Sequence, residues 1–217
     1  MKLVLIPGMG VDERLFKPQR ELPVPFTVPP WPKVGPADSM EDYAARFAAE
    51  VGPCDAIGGV SFGGMMAQAM AERVGARVVI GISTARHGRQ IPAAIRFAKA
   101  IAELISGPKS GIDVLGALPQ RYRAQVMEWI RAANLDVVRE GSRMILKWKG
   151  SKPPCPVRLI HGDRDVLIRH SVVKPDRLIR GGGHLINLTH SRAVNSFIME
   201  ALEIVGPGDD AGRVSVS

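Results

Sequence analysis

The sequence predicts an α/β fold, with about six parallel strands in one sheet, helices on both faces, and a helical segment inserted after the fourth strand. Three observations carry this expectation. Short β-branched runs recur along the chain, each fenced by Gly, Pro or Ser and apolar throughout, as strands buried on both faces are. Amphipathic stretches separate them, and such alternation implies right-handed crossovers between parallel strands. The 217 residues are 46% hydrophobic and 23% charged, which suits a single domain with a buried core and excludes wholesale disorder.

In chain order, the strand candidates are Lys2–Ile6, the weaker Phe26–Val28, Asp55–Val60, Arg77–Ile82, Val157–His161 and the weaker Asp176–Arg180. Met40–Val51, Phe62–Val74 and Arg192–Val205 carry helical periodicity. Between Ala85 and Lys152 no strand is convincing, whereas Ile95, Ala98, Ile101, Ala102 and Ile105 share one helical stripe. Gly107-Pro108 and Leu118-Pro119 divide that helix from a second around Arg121–Ala133, and a third includes Arg143–Lys149. The chain thus divides into a core of residues 1–84 and 153–205, a helical cap at 85–152, and a polar, frayed tail at 206–217.

The net charge of +8 invites a nucleic-acid reading, so its placement matters more than its size. Residues 86–152 hold 13 Lys+Arg against 5 Asp+Glu, which accounts for the whole excess. No recognition motif accompanies it, and Lys and Arg on a small helical cap more often form its solvated face. We therefore expect no nucleic-acid partner. KLVLI, directly after Met1, is far too short for a signal peptide or a membrane span, so a cytoplasmic protein without stable membrane association is expected. Cys54 and Cys155 each adjoin a proline and resemble neither a disulfide framework nor a zinc site; both read as free, mostly buried thiols.

Gly59-Val60-Ser61-Phe62-Gly63 stands where a strand gives way to a helix, the context a GxSxG nucleophile turn requires. Glycines on either side of the serine remove the Cβ atoms that would collide across so tight a turn. The hydroxyl would then project above the sheet edge, beside helix N–H groups that favour a developing oxyanion, with Phe62 N–H as the first donor. Chance in a glycine-rich chain is the competing reading, while a phosphate-cradling loop is disfavoured because no GK[ST] follows. Pro7-Gly8-Met9-Gly10, after the first strand, offers a second oxyanion donor at Met9. A dinucleotide fingerprint there is incomplete, since position 13 is Glu.

Leu159 to Asp165 is a strand running into an acidic turn, and Gly181-Gly182-Gly183-His184 follows the last weak strand, so serine, acid and histidine fall in chain order. Asp165 is the candidate acid, Asp163 the reserve and Asp136 a remote third. Surface turn aspartates are the alternative for that loop. Of the five histidines His184 is the candidate base; His190 reads as a surface or capping residue, His161 as packed or hydrogen-bonded, and His87 and His170 as solvated.

With these segments in order, the chain resembles the α/β-hydrolase superfamily, and within it the small single-domain bacterial serine hydrolases. PGMG resembles the oxyanion-loop motif, GVSFGG the nucleophile elbow, IHGDRD the acid strand and GGGHLIN the histidine loop. The resemblance implies the α/β-hydrolase fold, with Ser61, Asp165 and His184 as a catalytic triad and Met9 and Phe62 as the oxyanion hole. The chain begins at the strand that is usually third in that fold, so six parallel strands are expected without the customary antiparallel pair. The short interval from Asp165 to His184 should trim the helix normally found there.

These features lead to the expectation of a serine hydrolase, most simply a carboxylesterase, acting on a small-molecule ester, thioester or lactone through an acyl-enzyme. No cofactor is expected, and no His, Cys or carboxylate cluster has spacing suited to a metal. Phe97, Trp129 and Trp148 in the cap suggest an apolar acyl pocket. A receptor, or a non-hydrolytic protein that keeps the triad and closes its cap on a small molecule, is the alternative from another class.

Overall fold

A computed structural model describes residues 1–91 and 118–206. Six strands form one sheet: β1 (Leu3–Ile6), β2 (Phe26–Thr27), β3 (Ala56–Val60), β4 (Val78–Ile82), β5 (Val157–Gly162) and β6 (Arg177–Ile179). Their order is β2-β1-β3-β4-β5-β6, and every neighbouring pair is parallel. The six expected strands are all present, each within two residues of its expected ends.

Alternation along the strands explains why both faces need cover. Val4, Ile6, Ile57, Val79 and Leu159 belong to one buried cluster, and Leu3, Leu5, Ala56, Ile80 and Ile160 to the other. Helices α1 (Met40–Val51) and α2 (Phe62–Met70) supply the first cluster. The second is covered by a 3-10 segment, Glu13–Glu21, and by the C-terminal helix, α7 (Ser191–Glu203). Helix α1 starts on a capping box between Ser39 and Asp42 and buries Met40, Tyr43, Ala44, Phe47 and Ala48, the spacing of one helical face. Fully burying a ring such as Phe47 contributes about 2–3 kcal/mol.

Between β4 and β5 the described residues contain a 3-10 turn at Gly88–Gln90 and two helices, α3 (Gln120–Arg131) and α4 (Leu135–Lys147). The third helix, expected to include Arg143–Lys149, spans Leu135–Lys147, with Asn134 capping its start by accepting from Asp136 and Val137 N–H. The stripe at 95–105, Phe97 and most of the tail lie outside the described residues. Arg121, Arg131, Arg139, Arg143, Lys147 and Lys149 are all exposed, in keeping with a solvated basic face. Trp129 and Trp148, expected beside an acyl pocket, are both buried, in opposite core clusters, and Trp148 Nε1 donates to Ser151 Oγ at 3.3 Å.

After β5 the chain makes the four-residue helix α5 (His170–Val173), the shortened connection expected before β6. The short helix α6 (Ile186–Thr189) then leads into α7. No described helix is long and apolar enough to cross a membrane. Both cysteines are free; Cys54 is buried, but Cys155 is only half-buried.

Candidate active site

The four sequence segments converge because the parallel register brings the C-terminal ends of β1, β3, β5 and β6, with β4 between β3 and β5, to one rim. Ile6 pairs with Gly59, Val60 with Ile82, and Ile82 with Ile160. The loops after these strands therefore emerge side by side, where an open α/β sheet places its ligands.

At the elbow, Ser61 has φ 56° and ψ −120°, a left-handed conformation that costs a non-glycine residue on the order of 1–3 kcal/mol. The surroundings hold it there. Ser61 N–H donates to Ile82 O at 2.9 Å, and its carbonyl accepts from Thr84 Oγ1 at 2.6 Å and Gly64 N–H at 3.0 Å. A Cβ on Gly63 would overlap the Ile6 and Pro7 carbonyl oxygens, and one on Gly59 would lie 2.7 Å from Ile6 O. Only glycine at these positions lets α2 leave the sheet against β1.

The candidate oxyanion donors are both free: among the described residues neither Met9 N–H nor Phe62 N–H donates a hydrogen bond. The loop carrying Met9 is fixed from the other side by α4. Asn134 N–H donates to Gly10 O at 2.8 Å, and Ser142 Oγ lies 3.7 Å from Met9 Sδ. Gly10, at φ 70°, has no room for a side chain, since a Cβ would come within 2.8 Å of Asn134 O. The Phe62 ring stacks on Trp31 with centroids 5.5 Å apart, and Trp31 Nε1 donates to Val11 O at 3.0 Å. Two elements remote in sequence thus brace this loop.

Asp165 is buried and accepts on both oxygens. Its Oδ1 takes Leu167 N–H at 2.9 Å and Ile168 N–H at 3.0 Å. Its Oδ2 faces His184 Nδ1 at 2.8 Å and His161 Nε2 at 3.0 Å. Burial alone would raise this carboxyl, but the His184 charge, the two histidine contacts and Ile168 N–H outweigh it and hold the group well below the usual carboxylate range. With Nδ1–H committed to Asp165, His184 Nε2 is left as a proton acceptor.

The other candidates go elsewhere. Asp163 Oδ1 accepts from Gly181 N–H at 2.7 Å and so anchors the glycine turn. Asp136 is exposed and paired with Arg139 at 2.7 Å. His190 stands at the N-terminus of α7 with Nδ1 2.8 Å from Thr189 Oγ1. His87 and His170 are half-buried rather than solvated, and His87 Nδ1 accepts from Arg89 N–H at 3.0 Å. Among the described residues no group of three His, Cys, Asp or Glu could hold a metal ion.

Ser61 departs from expectation in exposure. Instead of standing clear of the rim it is buried, with 5% of its surface accessible, and no hydrogen bond joins its hydroxyl to the His184 ring among the described residues. Sequence reasoning also missed Thr84, the contact of His161 with Asp165, and a buried amide network behind the histidine loop. In that network Gln19 Nε2 donates to Asn187 O at 3.0 Å and Asn187 Nδ2 to Leu15 O at 2.8 Å. None of these has a motif; only the fold brings them to the site.

A search of curated proteins finds no match. Solved structures match closely in shape. An esterase from Thermogutta terrifontis superposes with a TM-score of 0.71 at 19% identity, covering 95% of this chain and 91% of that one. The N-acyl homoserine lactonase AidH gives 0.73 at 16% identity, covering 96% and 90%. A hydrolase from Oleispira antarctica gives 0.73 at 15% identity, covering 95% and 91%. At such identities the likeness concerns the fold, and the sequence itself supplies the lineage: residues 3–197 match the model of the alpha/beta hydrolase family, to which this chain belongs.

Proposed function

We propose that this protein is a serine hydrolase, most simply a carboxylesterase, cleaving a carboxylic ester, thioester or lactone through an acyl-enzyme on Ser61. The observation that carries the reading is the 2.8 Å contact between Asp165 Oδ2 and His184 Nδ1, formed at the rim where Ser61 is held in a left-handed turn. His184 Nε2 takes the hydroxyl proton as Ser61 Oγ attacks the carbonyl carbon, and Asp165 stabilises the resulting imidazolium. The oxyanion settles on Met9 and Phe62 N–H. The imidazolium gives its proton to the departing oxygen or sulfur, and water then repeats the sequence on the acyl-enzyme. The esterase and lactonase among the structural relatives act on bonds of this class.

Turnover of p-nitrophenyl acetate, butyrate and octanoate by wild type and Ser61→Ala tests the reading, together with labelling by a fluorophosphonate. Loss of turnover in the variant and a single adduct at Ser61 are expected; equal rates, or labelling of another serine, would overturn it. A panel of acyl esters, thioesters and lactones then fixes the substrate class. The burial of Ser61, with no hydrogen bond from its hydroxyl to the His184 ring among the described residues, favours one second reading, a small-molecule receptor with a retained triad. Saturable binding without turnover would establish that alternative.

A further inference from the structure

We infer that His161 is a positioning residue for the Asp165–His184 pair, an inference that rests on the catalytic reading above. The two imidazoles share one carboxylate oxygen: Asp165 Oδ2 lies 2.8 Å from His184 Nδ1 and 3.0 Å from His161 Nε2. His161 and Asp165 have no exposed side-chain surface, so water does not compete for these contacts.

The tautomer of His161 follows from its second partner. Nε2 is 2.7 Å from Ile168 O, and a carbonyl oxygen only accepts, so Nε2 carries the proton. The hydrogen bond of this N–H runs to Ile168 O, and the Asp165 carboxylate lies 3.0 Å from the same nitrogen. His161 thereby spans the acid loop from the end of β5 to its far side. Ile168 is held on both of its polar atoms, its carbonyl by His161 and its N–H by Asp165 Oδ1 at 3.0 Å. The arrangement fixes both the height of the carboxylate above the sheet and its rotation toward His184. A packed histidine needs neither contact; a histidine that bonds the acid's own loop and presses the same nitrogen against the carboxylate restrains where the catalytic base can stand.

Three substitutions separate positioning from packing. His161→Gln places an amide N–H near the position of Nε2 and keeps the donor. His161→Phe keeps the ring and loses the donor, and His161→Asn is polar but too short to reach. With the best ester substrate, H161Q should retain kcat within about threefold, while H161F and H161N should lose about 10- to 100-fold in kcat with KM unchanged. A readout without turnover accompanies this: the downfield proton resonance of His184 Nδ1–H, assigned by its loss in Asp165→Asn, should persist in H161Q and broaden or vanish in H161F and H161N. Thermal unfolding identifies which variants are folded. A folded H161F or H161N with wild-type kcat and an unchanged resonance would overturn the inference, as would an H161Q as impaired as H161F. If wild type neither turns over esters nor takes the fluorophosphonate, the catalytic reading fails, and the resonance still decides whether His161 restrains the pair.

Discussion

Replacing Asp165 by Asn changes one atom of the side chain and reverses the polarity of the acid's outer face. The Leu167 and Ile168 N–H groups, at 2.9 and 3.0 Å, can only donate, so they retain the amide oxygen. The amide NH2 is then forced onto the side facing His184 Nδ1 and His161 Nε2. His161 already carries its proton there, and His184 can answer only by moving its proton to Nε2, the atom that takes the Ser61 proton in the proposed mechanism. Such loss of the correct tautomer lowers kcat by about 10⁴-fold, or about 5.5 kcal/mol of barrier. Stability falls as well, because charge-assisted bonds are each worth roughly 1.5–3 kcal/mol; a loss of about 2–4 kcal/mol at pH 7 is expected. The pH dependence has a definite sign. A carboxyl held below its ordinary value stabilises the fold above the unfolded pKa of about 3.9, and that contribution drains away as pH falls through the lower folded value. Wild type should therefore exceed D165N most at pH 7, with the gap narrowing below about pH 4. Urea denaturation across pH 3 to 7 and steady-state ester hydrolysis measure both effects. A kcat within tenfold of wild type would refute the orienting role, and a gap that does not vary with pH would refute the depressed carboxyl.

Other perturbations give outcomes of opposite kind. Gly63→Ala should cost about 3 kcal/mol or more despite the usual helical preference for alanine, because its Cβ would overlap backbone carbonyls of Ile6 and Pro7; a denaturation midpoint near wild type would contradict this. Gly141→Ala sets a helix-propensity gain of about 1 kcal/mol against a Cβ 3.1 Å from Phe62 Cζ and 3.4 Å from Met9 Cε. Stability should change by no more than about 1 kcal/mol while kcat drops about tenfold; a large loss of stability with kcat intact would limit this glycine to packing. In a thiol titration with Ellman's reagent at pH 8, Cys155 should react first and Cys54 only on unfolding, since burial pushes the Cys54 thiol up to about 11. Two fast thiols in the folded protein would contradict the buried placement.

The chain alone determined the sheet, its parallel sense and the order of its working segments, because strand burial, helix periodicity and turn chemistry are all local. The β1 run LVLI, the capped helix Met40–Val51 and the strand-turn-helix at Ser61 were legible for that reason. Tertiary structure decided which groups meet. Asp163 and Asp165 are two residues apart and chemically identical; the loop turns one toward Gly181 N–H and the other toward two imidazoles. His161 reads in the sequence as packed or hydrogen-bonded, and only the loop folding back beyond it brings its partner, Ile168 O, to the ring. Trp129 and Trp148 are buried in opposite core clusters, Gly10 owes its identity to Asn134 and Val138 more than a hundred residues away, and Gly141 owes its own to Phe62 and Met9 packed against its helix. Contacts of this kind depend on strand register and helix packing over long separations, where no sequence pattern is written.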